Sequence, residues 1–517
     1  MDSKSIVWVL VAFGAYLIGM IMIGAGYAKT TKNTEDYFLG GRGLNGWVAA
    51  LSAQASDMSG WLLMGLPGAI YLSGLGEVWI AIGLFIGTVC NWMIISKRLR
   101  RYTIVANNSL TLPAYFENRF EDRSKLLLLV SSVFIVVFFL VYTASALAAG
   151  GKLFNVVFGL DYQVALTIGT LVILVYTFLG GFMAVCVTDF IQGMLMLVGL
   201  FLVPIMALAI VSPESLYEVL GQSGVAGGTE SYLNLMQSGG SKIGAVSIIS
   251  NLGWGLGYCG MPHILTRFMA ISSEKELKKS RVIGIVWVAV SLGMACFVGV
   301  IGRAYLMPVI LGTEATGSAE NVFIRLIMKL FTQDYALPFI GGIFLCGILA
   351  AIMSTADSQL LVTASSVAED IYKGVINPKA KDVNVLTISR FTVIGVAVLA
   401  YFIAVNPNSS IMGLVSNAWA GFGATFGPVV VLSLFWKRSN RAGAVAGMVG
   451  GGLTVLIWDY VPLLGGNTLG AATGLYSLVV GFLVGLAAMV IASLATKEPS
   501  AAMIAQFERV AGGSVED

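Results

Sequence analysis

The sequence predicts an all-α integral membrane protein of about thirteen transmembrane helices. Three observations carry this: a deficit of charge, a series of apolar runs of spanning length, and an alternation of basic residues between two sides. Of 517 residues, 57% are hydrophobic and only 11% charged, where a soluble domain carries about 25% charged residues. Mean hydropathy is +0.88, so lipid is the expected solvent. Glycine is abundant at 62 residues, as in membrane helices whose backbones approach closely. A net charge of +3 is too small for a polyanionic partner, and nothing points to nucleic acid. Cys90, Cys186, Cys259, Cys296 and Cys346 lie far apart in apolar stretches, and His263 is the only histidine. They lack metal-binding spacing, and the cysteines read as small hydrophobes.

About 20 apolar residues are needed to cross a bilayer. Runs of that kind cover 6–26, 46–72, 77–96, 125–150, 162–183, 189–211, 242–270, 282–306, 336–369, 388–405, 411–435, 442–462 and 469–493. The first is expected to be a retained helix rather than a signal peptide, because no small-residue cleavage site follows it before the next polar stretch. With the N-terminus outside and the C-terminus cytoplasmic, inner loops hold all but six of the 30 basic residues. They include Lys29, Lys32 and Arg42, then Arg100 and Arg119, then Arg267. The outer side keeps Lys4, Lys152, Lys242, Arg303, Arg325 and Lys329. This bias is the one that orients membrane proteins. Of the two long outer loops, 212–241 is Gly/Ser-rich, and 307–335 contains ENVFIRLIMKLFTQ. Its apolar residues recur at helical spacing, which predicts an amphipathic helix.

Three spans are chemically irregular. Span two reads ALSAQASDMSGWLLMGLPGAIYLSG and sets Ser56, Asp57, Ser59 and Gly60 among apolar residues. A carboxylate at that depth costs a few kcal/mol and is a functional candidate by default; the plainer role is to cap half of a broken helix. Gly60 and Pro67 both weaken regular helix there. Span seven holds Gly253, Gly255, Gly257, Gly260 and Pro262, with Trp254 and Tyr258 spaced to share a face. Aromatics beside unwound backbone suit a small organic solute; the alternative is a glycine-rich helix in tight packing. Span nine carries Ala351, Ser354, Thr355, Asp357 and Ser358. Their hydroxyls and carbonyls suit an alkali cation, although Ser and Thr in membrane helices often only bond the preceding turn. Asp189 opens span six, where capping a helix N-terminus is the simple reading.

The stretches ASDMSGWLLMGLPGA, NNSLTLPAYFENRFED, GWGLGYCGMPHILTRFMA, AAIMSTADSQLLV and SNAWAGFGATFGPVVVLS resemble the sodium/solute symporter family, most of all its proline carriers. The resemblance runs from about residue 8 to 495. It implies a leucine-transporter-type fold of two inverted five-helix repeats, 46–211 and 242–435. Additional helices lie in 1–26 and 442–493, with a tail over 494–517. It implies symport, not enzymatic chemistry: entry of L-proline across the plasma (inner) membrane, coupled to co-transported sodium. The family's sodium site matches Ala55 and Met58 through backbone carbonyls, with Ala351, Ser354 and Thr355; Asp57 matches a carboxylate linked to sodium binding. The proline pocket matches Ser59, Gly60, Trp61, Tyr142, Trp254, Tyr258 and Pro262. Asp189 matches a position that helps form a further cation site in some relatives; Asp357 and Ser358 stand near it, Asp357 where some relatives have serine.

The expected cycle is alternating access. Sodium stabilises the outward-open form, proline docks at the broken helices, and both together favour inward opening. A ligand shifts such an equilibrium only through differential affinity. The rival solutes are pantothenate, a sugar or a monocarboxylate. A solute sensor is disfavoured by the short tail, a channel by the paired broken helices, and nucleotide-driven pumping by the lack of a phosphate-cradling loop.

Overall fold

The computed structural model describes residues 2–28, 33–179, 181–312, 318–406 and 408–513. Lys29 and Lys32 lie outside the described residues. The helices that build the core are α1 (Ser3–Ala28), α2a (Gly46–Asp57), α2b (Trp61–Ser73), α3 (Leu75–Val105), α4 (Leu126–Phe158), α5 (Tyr162–Leu179) and α6 (Phe182–Val211). They continue as α7a (Ala245–Gly253), α7b (Pro262–Ala270), α8 (Glu274–Tyr305), α9 (Pro338–Ser365), α10 (Asp382–Ala404), α11 (Ile411–Phe435), α12 (Arg441–Tyr460) and α13 (Ser477–Ala495). Among the described residues, ten helices are long and apolar enough to cross a membrane by themselves. The thirteen expected crossings therefore require α2, α5 and α7 as well, of which α2 and α7 are interrupted.

The breaks sit at the centre. Segment α2a packs on α6, α8 and α9, while the link between α7a and α7b packs on α3 and α11. Around them α4 joins α9 to α11, α1 lies on α9, and α12 and α13 pair against α11. The periphery exposes Phe391, Phe402, Ile491 and Leu494, as a lipid-facing surface requires.

Several boundaries differ from expectation. Helix α6 starts at Phe182, two turns ahead of Asp189, so Asp189 does not cap an N-terminus. Residues 469–473 form a separate short helix ended by left-handed Gly474 (φ 67°), and α13 begins only at Ser477. Pro67 does not interrupt α2b: its missing N–H falls beside a π-turn over Trp61–Gly65, closed by the Leu66 N–H on the Trp61 carbonyl. The helix expected near 320–333 forms as Val322–Lys329 and buries Val322, Phe323, Ile324, Leu326 and Ile327 against the protein.

Candidate functional site

The first break has a definite cause. Helix α2a ends at Asp57, and Met58 adopts φ −86°, ψ 76°, which takes its carbonyl out of helical register. Gly60 is helical itself (φ −52°, ψ −25°). What it supplies is room, because a Cβ there stands 2.8 Å from the Ala149 Cβ of α4.

The last turn of α2a meets the middle of α9. The Ser354 hydroxyl donates to the Ala55 carbonyl at 2.8 Å and reaches the Ala351 carbonyl at 3.2 Å. The Thr355 hydroxyl lies 3.5 Å from the same Ala55 carbonyl. Oxygens held about 2.3–2.6 Å from a hard cation stand roughly 3–3.5 Å from one another, so these groups need little rearrangement to take one. Met58 adjoins them through its backbone, while its sulfur accepts from the Ser291 hydroxyl at 3.3 Å.

The Asp57 carboxylate turns to the other break. Its Oδ2 accepts from the Tyr258 hydroxyl at 2.6 Å. Its backbone carbonyl accepts from the Trp61 indole at 2.9 Å, with the Tyr142 hydroxyl at 3.5 Å. The Trp61 N–H donates to the Ser59 hydroxyl at 3.3 Å. Residues 55–61 thus touch α9 on one side and an aromatic cluster on the other.

The second break is a 3-10 turn over Trp254–Gly260. Its glycines do not supply left-handed backbone, since none of them has positive φ. They supply contact: a Cβ on Gly255 meets the Gly83 carbonyl at 2.2 Å, and one on Gly257 meets the Trp419 indole nitrogen at 2.0 Å. Tight glycine packing and an irregular aromatic segment therefore coexist. Trp419 donates to the Trp254 carbonyl at 2.7 Å and meets Tyr258 edge-on at 5.1 Å. Trp254 stacks on Tyr476 at 5.3 Å. It also lines a cavity of about 490 Å³ with Ser410, Met412, Asn417 and Asp459, within the size range of small-molecule sites. Pro262 is not brought to this cluster. It lines a small space with Phe182, Thr266 and Leu361.

Asp189, expected beside a cation, holds an arginine. Arg267 and Asp189 form a wholly buried ion pair at 3.2 Å, and Arg267 donates to Ser358 at 2.6 Å. Arg267 was assigned to an inner loop by charge, yet it has no exposure. Arg100 and Arg119 are buried as well, Arg100 capping the Ile271 and Ser272 carbonyls and Arg119 the Ser433 carbonyl. Counting charge cannot separate a solvated arginine from one that folds back to cap helix ends.

Sequence reasoning also missed a latch at the opposite end of α4. Buried Lys152 donates to Glu320 at 2.7 Å and to the Ser409 carbonyl at 2.8 Å. Glu320 in turn accepts from the Ser410 hydroxyl at 2.9 Å and the Met412 N–H at 3.2 Å. The loop carrying Glu320 is so tied to α4 and α11, and lies on α2b at Gly68. Glu320→Ala leaves a buried ammonium without its counter-ion, and a loss of about 2 kcal/mol or more is expected. The checking measurement is the thermal midpoint of the purified protein in detergent. An unchanged midpoint would count against the latch.

The model of the "Sodium:solute symporter family" matches residues 37–451, and the chain belongs to that family. It is 45% identical over 502 residues to the sodium/proline symporter of Escherichia coli (strain K12), covering 96% of this chain and 95% of that one. It is 43% identical over 501 residues to the osmoregulated proline transporter OpuE of Bacillus subtilis (strain 168), covering 96% and 97%. Among solved structures it resembles a Na+-coupled sialic acid symporter with a TM-score of 0.75 at 20% identity, covering 95% of this chain and 98% of that one. Mhp1, a nucleobase-cation-symport-1 family transporter, matches with a TM-score of 0.51 at 12% identity, covering 92% and 99%. The fold is of the leucine-transporter type.

Proposed function

We propose that this chain is a sodium-coupled symporter that carries L-proline into the cell by alternating access. Relatives named as sodium/proline symporters share 43–45% identity over nearly the whole chain, and this is the main support for the solute. The observation that carries the mechanism is the continuity of residues 55–61. One short segment offers its Ala55 carbonyl to Ser354 and Thr355, and its Asp57 carboxylate to Tyr258.

In this reading sodium binds the Ala55 and Met58 carbonyls, the Ala351 carbonyl and the hydroxyls of Ser354 and Thr355. Asp57 is the nearby balancing charge. Proline docks beside Ser59, Gly60, Trp61, Tyr142, Trp254 and Tyr258, its ring on the aromatic faces. Pro262 serves as the first-turn residue of α7b. Sodium draws α2a onto α9 and thereby fixes the segment that presents Asp57 and Trp61 to the solute. Residues 46–211 and 242–435 act as the two inverted repeats. The membrane is the plasma membrane, with the N-terminus outside and the C-terminus cytoplasmic. The driving force is the sodium gradient plus about 2.3 kcal/mol per charge per 100 mV.

Radiolabelled proline uptake into proteoliposomes, with an inward sodium gradient and a matched potassium control, tests this directly. Uptake indifferent to sodium would remove the coupling, and absence of proline uptake in active vesicles would redirect the solute assignment. Within the same assay, Ser354→Ala is expected to raise the half-saturating sodium concentration about tenfold, or about 1.4 kcal/mol. A sodium titration identical to wild type would take Ser354 out of the site.

A further inference from the structure

Where α13 ends, the chain turns back across the end of the bundle and encloses a groove of about 860 Å³. Glu121, Arg441, Lys497 and Glu498 line it, and further along α4 and α12 so do Leu126, Val445 and Val449. Its walls are fastened. Arg438 donates to the Thr496 carbonyl at 2.9 Å, and the Asn440 amide donates to the Thr496 hydroxyl at 2.8 Å and the Lys497 carbonyl at 2.7 Å. The Ser500 hydroxyl donates to Glu121 at 2.6 Å and accepts from the Met503 N–H, capping the tail helix Ala501–Ala511. Phe507 of that helix lies under Arg98 at 5.4 Å. From the groove an apolar track runs on along both helices: Leu129, Val133 and Val137 are exposed on α4, and Leu453 and Ile457 on α12. The two helices stay adjacent there, since a Cβ on Gly452 would stand 2.7 Å from the Phe134 ring.

We propose that this groove seats one phospholipid whose headgroup joins a phosphate to a primary ammonium, with its acyl chains on the track between α4 and α12. The inference is independent of the solute carried. Depth is the first argument. Helices α4 and α12 begin and α13 ends at the groove, so it lies where apolar spans give way to polar chain, the level of lipid headgroups. Basic pockets between membrane helices at that level take lipid phosphates. Arg441 stands in the first turn of α12, at the positive end of the helix dipole. Its Nε faces Asp122 at 3.2 Å, yet the side chain stays half-exposed, and the terminal nitrogens of a guanidinium match phosphate geometry. Charge is the second argument. The lining holds two basic and two acidic side chains. A purely anionic headgroup would set its charge against Glu121 and Glu498 with no ammonium to answer them. A choline headgroup has no N–H to donate to those carboxylates. A phosphate with a primary ammonium meets both signs. Seated there, the lipid bridges the tail, α12 and the loop before α4.

The test is native mass spectrometry of the full chain, delipidated in detergent and offered equal amounts of dioleoyl phosphatidylethanolamine, phosphatidylglycerol and phosphatidylcholine. One phosphatidylethanolamine per chain is expected to be retained, with roughly tenfold preference over each of the others. Thermal melting with glycerophosphoethanolamine, the headgroup without chains, is expected to show no rise where the lipid gives one. Two variants probe the site. Ala446→Trp fills the groove and is expected to lose the retained lipid. Glu498→Gln, at an exposed position, removes one negative charge and is expected to narrow the preference over phosphatidylglycerol about threefold, the scale of a surface charge contact. Equal retention of the three lipids would overturn the inference, as would a preference for phosphatidylglycerol. So would a wild-type preference that both variants keep unchanged. Stabilisation by glycerophosphoethanolamine equal to that by the lipid would make the groove a site for a soluble solute and overturn the lipid assignment. Should Ala446→Trp fail to fold, the wild-type preference and its response to Glu498→Gln decide.

Discussion

Asp57→Asn is expected to abolish sodium-dependent proline uptake, by a factor of 100 or more, while the protein in sodium-free buffer is at least as stable as wild type. The two effects share one cause. Asp57 is the last residue of α2a, where the helix dipole presents its negative end and disfavours a carboxylate. It is wholly buried, Oδ2 accepts from Tyr258, and Oδ1 has no hydrogen-bond partner among the described residues. A buried charge so weakly compensated costs folding free energy until a cation arrives. Asparagine keeps the shape and an acceptor for Tyr258 but removes the charge. A 100-fold loss corresponds to about 2.7 kcal/mol, the scale of a hydrogen bond or contact to a charged group. Thermal melting with and without sodium separates binding from folding. Sodium at 100 times its dissociation constant stabilises wild type by about 2.7 kcal/mol, and the variant should show no such rise. A variant whose uptake still follows sodium would sink the assignment.

Gly255→Ala is expected to be the most damaging of the small substitutions around the second break. Its new methyl would sit 2.2 Å from the Gly83 carbonyl, a backbone atom that no rotamer change can move. Inserting a methyl into a packed interior ordinarily costs about 1–3 kcal/mol; here α3 and the 3-10 segment must separate, so a larger cost is expected. Gly87→Ala meets the Gly255 carbonyl at 2.3 Å and should behave alike. Size-exclusion profiles and melting of the purified variants check this. A Gly255→Ala protein that is monodisperse, melts like wild type and transports proline would contradict the contact.

The sequence made the helical membrane class legible because lipid imposes it on composition, and it located both breaks because glycine, proline and a buried acid cluster there. The pairing of Ala55 with Ser354 and Thr355 was reached through family resemblance; spacing alone left open that the hydroxyls only bond their own turn. The reason for Gly60 was misread as looseness, since a sequence does not reveal which neighbour a missing Cβ admits. The spacing of Gly83 and Gly87 is the small-residue motif of close membrane helices and was the available signal for the α3 contact. Arg267 was hidden by its own usefulness to the topology argument. A basic residue near a helix end satisfies the charge bias whether it faces water or turns inward, and only a three-dimensional partner, Asp189, distinguishes the two.

The bare backbone contact between α3 and the Trp254–Gly260 turn has a kinetic consequence. Where two helices interlock through side chains, sliding one past the other means lifting each knob from its hole. Gly83, Gly87 and Gly255 present no knobs to one another, so this seam is expected to act as a bearing, resisting separation while permitting glide. In the proposed cycle the resistance to motion is expected to concentrate at the buried ion pairs that join separate elements, Lys152–Glu320 and Arg267–Asp189. The turnover rate should accordingly answer to those two pairs far more than to the apolar bulk around them.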